Sequence, residues 1–144
     1  MISVFNNTKE YRIVKKETIS LVKNVLKAEK VKKANINIIF DNDEFMLYLN
    51  KNYLKHNWIT DVISFQFGEK NKIDGEVYIG LQQAERQAQT YNVEFSEEVS
   101  RLVIHGVLHL IGYDDNKIGD RKLMRSKENL YLKKFEKINA RKNS

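Results

Sequence analysis

The sequence predicts one α/β (α+β) domain, with a small mixed sheet and about five helices. Three observations lead there. Short apolar segments suited to strands alternate with amphipathic helical segments. Two of the strand segments follow one another around a short charged turn, so part of the sheet is antiparallel. No linker, repeat or low-complexity tract divides the 144 residues, which are enough for one core.

The elements follow in order. Ile2 to Asn6 reads as a first strand, and Lys15 to Lys30 as a helix with Ile19, Val22, Val25 and Leu26 on one face. Ala34 to Phe40 is a strand whose apolar end suits a central position. Glu44 to Leu54 is a helix, capped by Asn42 or Asp43. Val62 to Phe67 places Ile63, Phe65 and Phe67 on one face of a strand. Gly68 to Asp74 is a charged turn, and Gly75 to Gly80 the returning strand. Leu81, Ala84, Ala88 and Tyr91 mark a further helix. Ser96 is a fitting N-cap for the next one, with Glu97 and Glu98 complementing its dipole, and that helix runs to Ile111 and packs on the sheet. Met124, Tyr131, Phe135 and Ile138 form the stripe of a last, basic helix at about 119–140. The whole of 1–144 is then a single domain.

Composition narrows the function classes. A hydrophobic fraction of 42% with 31% charged residues is that of an ordinary globular protein rather than a disordered one. No apolar run approaches the roughly 20 residues of a membrane span, and no charged-then-apolar leader opens the chain. A cytoplasmic protein without membrane association is the expectation. Cysteine is absent, which excludes disulfides and thiolate ligands. The excess charge lies at one end: residues 117–144 hold ten Lys/Arg against three Asp/Glu. Such a segment attracts polyanions, although a solvated lysine-rich helix face would look the same.

The chemistry concentrates in Leu102-Val103-Ile104-His105-Gly106-Val107-Leu108-His109-Leu110-Ile111-Gly112-Tyr113-Asp114-Asp115. His105 and His109 are two of the chain's three histidines and lie four apart, on one face of a helix. Gly112 ends that helix and lets the chain bring a carboxylate back under the pair. Two imidazoles and Asp115 make a three-ligand metal site; the other reading is two satisfied core histidines. Zinc suits the set first, then ferrous iron, manganese or nickel. Three protein ligands leave a position for water, which zinc makes reactive at neutral pH, so hydrolysis is the reaction class. The same spacing serves HExxH-type peptidases, but these need a glutamate directly after the first histidine, and here that position is Gly106.

HGVLHLIGYDD resembles the signature H-G-x-L-H-L-x-G-Y-D-H of the YbeY family of bacterial metal-dependent endoribonucleases. Leu49-Asn50 with Tyr53, then Thr60-Asp61-Val62-Ile63-Ser64-Phe65, resembles that family's L-N-x-x-Y-R and T-[DN]-V-L-S-F. Gly75-Glu76-Val77-Tyr78-Ile79 is similar to its G-D-[IV]-x-I strand. The resemblance implies a single α/β domain holding one zinc ion, with His105, His109 and Asp115 as ligands. Metal-bound water is the expected nucleophile; a 2′-hydroxyl, which would leave a cyclic phosphate, is the alternative, and the sequence does not choose between them. It also implies cleavage of single-stranded RNA, in maturation of the 3′ end of small-subunit ribosomal RNA and in ribosome quality control. The partners are then RNA and the ribosome.

Two positions depart from the pattern. The third ligand is His in the family and Asp115 here, with Asp114 a competing candidate. The arginine after the family's tyrosine is Leu54, which cannot donate to a phosphate oxygen; Lys51, Lys55 and His56, each within one turn, are the candidates to stand in for it. Thr60, Asp61 and Ser64 read as a turn and strand start, Asp61 also as an acceptor behind a metal ligand. Trp58 suits either packing or stacking on a base. Two other functions remain open on sequence: a peptidase or amidase on the same spacing, and a non-catalytic ribosome-associated factor with a structural metal.

Overall fold

The computed structural model describes residues 1–69 and 72–144. The described chain runs β1 (Ile2–Asn6), β2 (Tyr11–Ile13), α1 (Lys15–Ala28), β3 (Ala34–Asp41) and α2 (Asp43–Leu49), which continues into a π-helical turn (Asn50–Leu54). Then come β4 (Val62–Gln66), β5 (Ile73–Gly80), α3 (Leu81–Tyr91), α4 (Phe95–Ile111), α5 (Ile118–Lys134) and β6 (Ala140–Lys142). The expected five helices and mixed sheet are present. The main sheet has the order β1-β3-β5-β4. β1, β3 and β5 are parallel, and β4 runs antiparallel to β5 with Ser64 opposite Val77. The apolar β3 is central, as its composition requires.

Both faces of the sheet are covered. Ile36, Ile38, Phe40, Val77 and Ile79 share one buried cluster with Leu21, Val22 and Val25 of α1 and with Val103, Ile104 and Val107 of α4. On the opposite face Ile63 packs with Met46 and Leu49 under α2. The period-two pattern of β4 thus divides its residues: Ile63 faces α2, while Ser64 and Gln66 face α4 and donate to the carbonyls of Gly106 (3.0 Å) and Leu110 (2.9 Å). No helix among the described residues is long and apolar enough to cross a membrane.

Several boundaries differ from expectation, each for an identifiable reason. Asn42 is the cap of α2, accepting from the Phe45 amide, but the α-helix ends at Leu49. The next turn widens as the Asn50 side chain, fully buried, donates to the Trp58 carbonyl. Ser96 does not cap α4: the helix begins at Phe95 with Glu94 as N-cap. The Ser96 hydroxyl is taken by β6 instead, exchanging 3.0 Å bonds with the backbone N–H and C=O of Ala140. The last helix stops at Lys134, well short of 140. Beyond it the Ile138 amide donates to Ser100 Oγ and the Asn139 amide to Glu17, and β6 pairs with β2. Ile138 is fully buried, but from a segment between α5 and β6 that is neither helix nor strand. β2 and β6, three residues each, are too short for any periodicity to reveal. The expected turn at 68–74 includes residues 70 and 71, which lie outside the described residues; β5 starts at Ile73, two positions early.

Candidate metal centre

α4 is apolar along most of its length because it is enclosed by the sheet, α1, α3 and α5. Gly106 lets it come close: a Cβ there would stand 2.3 Å from Val77 Cγ1 and 3.2 Å from Ser64 Oγ. His105 and His109 lie on the α4 face left partly open, their side chains 21% and 29% exposed. At Gly112 the backbone takes φ +124°, a conformation that favours glycine, and its amide closes the helix onto the carbonyls of Leu108 and His109.

The chain then returns Asp115 to the histidine pair. Its Oδ2 stands 3.5 Å from His105 Nε2 and 3.3 Å from His109 Nε2. Zinc bonds of about 2.0–2.1 Å in a tetrahedron give ligand–ligand edges of about 3.3–3.4 Å. The two Asp115 edges lie close to that figure, and one atom from each of the three residues lies within 4.8 Å of the others. His105, His109 and Asp115 can therefore hold a metal ion. Asp114 is occupied elsewhere: it accepts from the Asp115 amide (2.7 Å) and from Asn116 Nδ2 (3.1 Å), serving the turn.

Glu128, from α5, completes the site. Buried on the α4 side, it accepts from His105 Nδ1 at 2.7 Å and from Arg101 Nη1 at 3.0 Å. A proton held on Nδ1 leaves Nε2 as the free donor atom, the arrangement by which a carboxylate orients a ligating histidine. Burial pushes the Glu128 carboxyl up, but His105 and Arg101 outweigh it and hold it below the ordinary glutamate range. Burial pushes His105 down, and the bond and charge of Glu128 raise it above the ordinary histidine value. In the metal-free protein, proton and metal thus compete for the same nitrogen. Sequence reasoning missed Glu128. The available signal was an acid four residues after Met124 and three before Tyr131, on the buried stripe of α5.

The other candidates fall on either side. A groove of about 380 Å³ along β4 is lined by Leu54, Thr60, Asp61 and Ser64 together with His105, His109 and Asp115. Lys51, Lys55 and His56 are exposed and line neither this groove nor the cavity on the α5 side. Ser64 is structural, bonded to Gly106. Trp58 is 58% exposed, with its ring stacked on His56 at 4.2 Å. On the α5 side a cavity of about 220 Å³ joins His105 and Asp115 to Glu98 and to Arg101, Arg121 and Arg125. Glu98, read from sequence as a first-turn acid, is 3% exposed; burial raises its pKa, and Gln87 donates to it at 2.7 Å.

Comparison with known proteins agrees over nearly the whole chain. A family described as Endoribonuclease YbeY matches residues 3–136. The Endoribonuclease YbeY of Flavobacterium psychrophilum is 42% identical over 137 residues, covering 94% of this chain and 96% of that one. That of Amoebophilus asiaticus is 40% identical over 112 residues, 77% of this chain and 76% of the other. The solution structure of a Thermotoga maritima protein superposes with a TM-score of 0.63 at 26% identity, covering 92% of this chain and 87% of that one.

Proposed function

The chain belongs to the YbeY endoribonuclease family, and from that premise we propose that it is a zinc-dependent endoribonuclease acting on single-stranded RNA. Its place is in the cytoplasm, in 3′-end maturation of small-subunit ribosomal RNA and in ribosome quality control, with residues 1–144 working as one unit. The observation that carries the reading is the convergence of His105, His109 and Asp115, with Asp115 Oδ2 3.5 Å from His105 Nε2 and 3.3 Å from His109 Nε2. When bound, zinc supplies a Lewis acid and a water reactive near neutral pH. The protein's residues do the rest. His105, His109 and Asp115 hold the ion, and Glu128 fixes the tautomer of His105. Asp115 contributes a negative charge where the family has a neutral imidazole, which makes water at the site less acidic and shifts the pH optimum upward. Zinc remains the best match to two imidazoles and a carboxylate, ahead of ferrous iron, manganese or nickel.

The peptidase or amidase reading is set aside, because the position that would carry its base is packed against Val77. One observation favours the non-catalytic reading, a ribosome-associated factor with a structural metal: Leu54, with no charge, lines the groove beside the ligands. One experiment decides between them. Wild-type and His109→Ala proteins, purified in parallel, are assayed on single-stranded RNA with and without chelator. Cleavage by the wild type alone, abolished by chelation, is expected. No cleavage by zinc-loaded wild type, or equal cleavage by both, would give the function to the binding factor.

A further inference from the structure

The three arginines of the α5-side cavity are not equivalent. Arg101 is spent within the protein, its Nη1 on Glu128 and its Nη2 on Asn129 at 2.9 Å. Arg121 reaches back to the Asn116 carbonyl (3.2 Å) and steadies the loop that carries Asp115. Arg125 makes no ion pair or hydrogen bond among the described residues, although it lies one helical turn from Arg121 on the same face of α5. Its planar fork, with five N–H donors, is the group best suited to a phosphate. It is exposed to solvent and lines the cavity that His105 and Asp115 also line. The groove on the other side of the ligands has Leu54 where a cation would be needed.

The acids facing Arg125 do not cancel it. Glu128 is committed to His105 and Arg101, and Asp115 to the metal position. Glu98 accepts from Gln87 at 2.7 Å, and Asp61 remains as the one further carboxylate in the cavity wall.

We propose that Arg125, with Arg121 beside it, binds the RNA phosphate next to the one at the metal centre, so that the strand is held from the α5 side rather than from the Leu54 side. This rests on the RNA-cleaving reading above. Arg125 is then a substrate-binding residue that acts mainly on affinity, because a neighbouring phosphate is gripped equally before and during the reaction. The proposal also gives the basic last helix a defined contact in place of a diffuse field.

The test uses zinc-loaded wild type, Arg125→Ala, Arg125→Lys and Lys23→Ala, the last removing an equal charge from α1. A short labelled single-stranded RNA is the probe, and binding, steady-state cleavage, zinc content and Tm are measured. Arg125→Ala is expected to raise Kd and KM about tenfold, the loss of one charged hydrogen-bonded contact, with kcat, zinc content and Tm unchanged. Between about 50 and 200 mM salt its slope of log K against log salt should fall by about 0.7, the value for one phosphate contact to a single strand. Arg125→Lys should recover part of the affinity, since charge returns without the fork. Lys23→Ala should stay within about twofold of wild type, as for a distant screened charge. A cleaving wild type with Arg125→Ala unchanged in Kd, KM and salt slope would overturn the proposal alone. An equal loss in Lys23→Ala would also overturn it, in favour of a diffuse field. A zinc-loaded wild type that neither binds nor cleaves RNA would overturn the nuclease reading and this contact with it.

Discussion

Replacing Glu128 with glutamine keeps the size and shape of the side chain but removes one acceptor. The carboxylate uses both oxygens, Oε1 for Arg101 at 3.0 Å and Oε2 for His105 Nδ1 at 2.7 Å. An amide has one oxygen and one NH2. If the oxygen stays on Arg101, the NH2 faces His105 Nδ1, which must then accept, and the ring proton moves to Nε2. That is the nitrogen a metal needs. If the amide turns over, its NH2 faces the Arg101 guanidinium, donor against donor, in a site where the Glu128 side chain is only 6% exposed. In either orientation zinc binding must overcome one charged hydrogen bond, about 1.5–3 kcal/mol, or about tenfold to a hundredfold in affinity. Competition for zinc against a chromophoric chelator measures this directly. A second readout is the imidazole titration of metal-free protein by NMR. With Glu128 neutral, burial of His105 is opposed by one charge fewer, so its pKa moves down. A folded Glu128→Gln protein that binds zinc within about twofold of wild type would refute the reasoning.

Three further outcomes are expected. Gly112→Ala forces a side chain to φ +124° and should cost about 1–3 kcal/mol in urea unfolding, although open space surrounds the position; Gly119→Ala, in α5 and equally open, should be neutral or stabilising by up to about 1 kcal/mol. Glu29, whose carboxylate accepts from Tyr113, Tyr131 and Lys127, has its pKa raised by burial but lowered on balance by those bonds. Its contribution is therefore complete above the ordinary value of 4.5 and disappears as pH falls through the lower folded value. Glu29→Gln should be about 1–3 kcal/mol less stable than wild type at pH 7, and unfolding curves of the two should converge in acid. Ile138→Ala, which empties a fully buried position outside any helix, should lower stability by about 2–5 kcal/mol.

Periodicity carried the sequence reading where the contact was local. β1, α1, β3 and α3 were legible because their apolar spacing answers directly to the face they bury. The His105–His109 pair was legible because residues four apart share a helical face, and Asp115 because Gly112 dictates where the chain turns. Glu128 was not, since its partner is 23 positions away and only the packing of α5 on α4 joins them. Ser96 was misread for the same reason: its hydroxyl has a local role available, but a strand 44 residues distant claims it. The end of α5 was lost to pairing as well, for Ile138 keeps the apolar phase of the helix while the β2–β6 ribbon takes the backbone out of it.

The close approach at Gly106 bears on how this site can change over time. A peptidase of the HExxH type needs a glutamate immediately after its first histidine, and the ligand spacing here is otherwise that of one. Any side chain at 106 would begin 2.3 Å from Val77 Cγ1, whereas ordinary carbon contacts lie at about 3.5–4.0 Å. Making room means lifting α4 off the sheet, and α4 carries both imidazoles. No single substitution therefore leads downhill from this centre to a protein-cutting one. The two chemistries share a ligand pattern, yet the packing of Gly106 against Val77 stands between them.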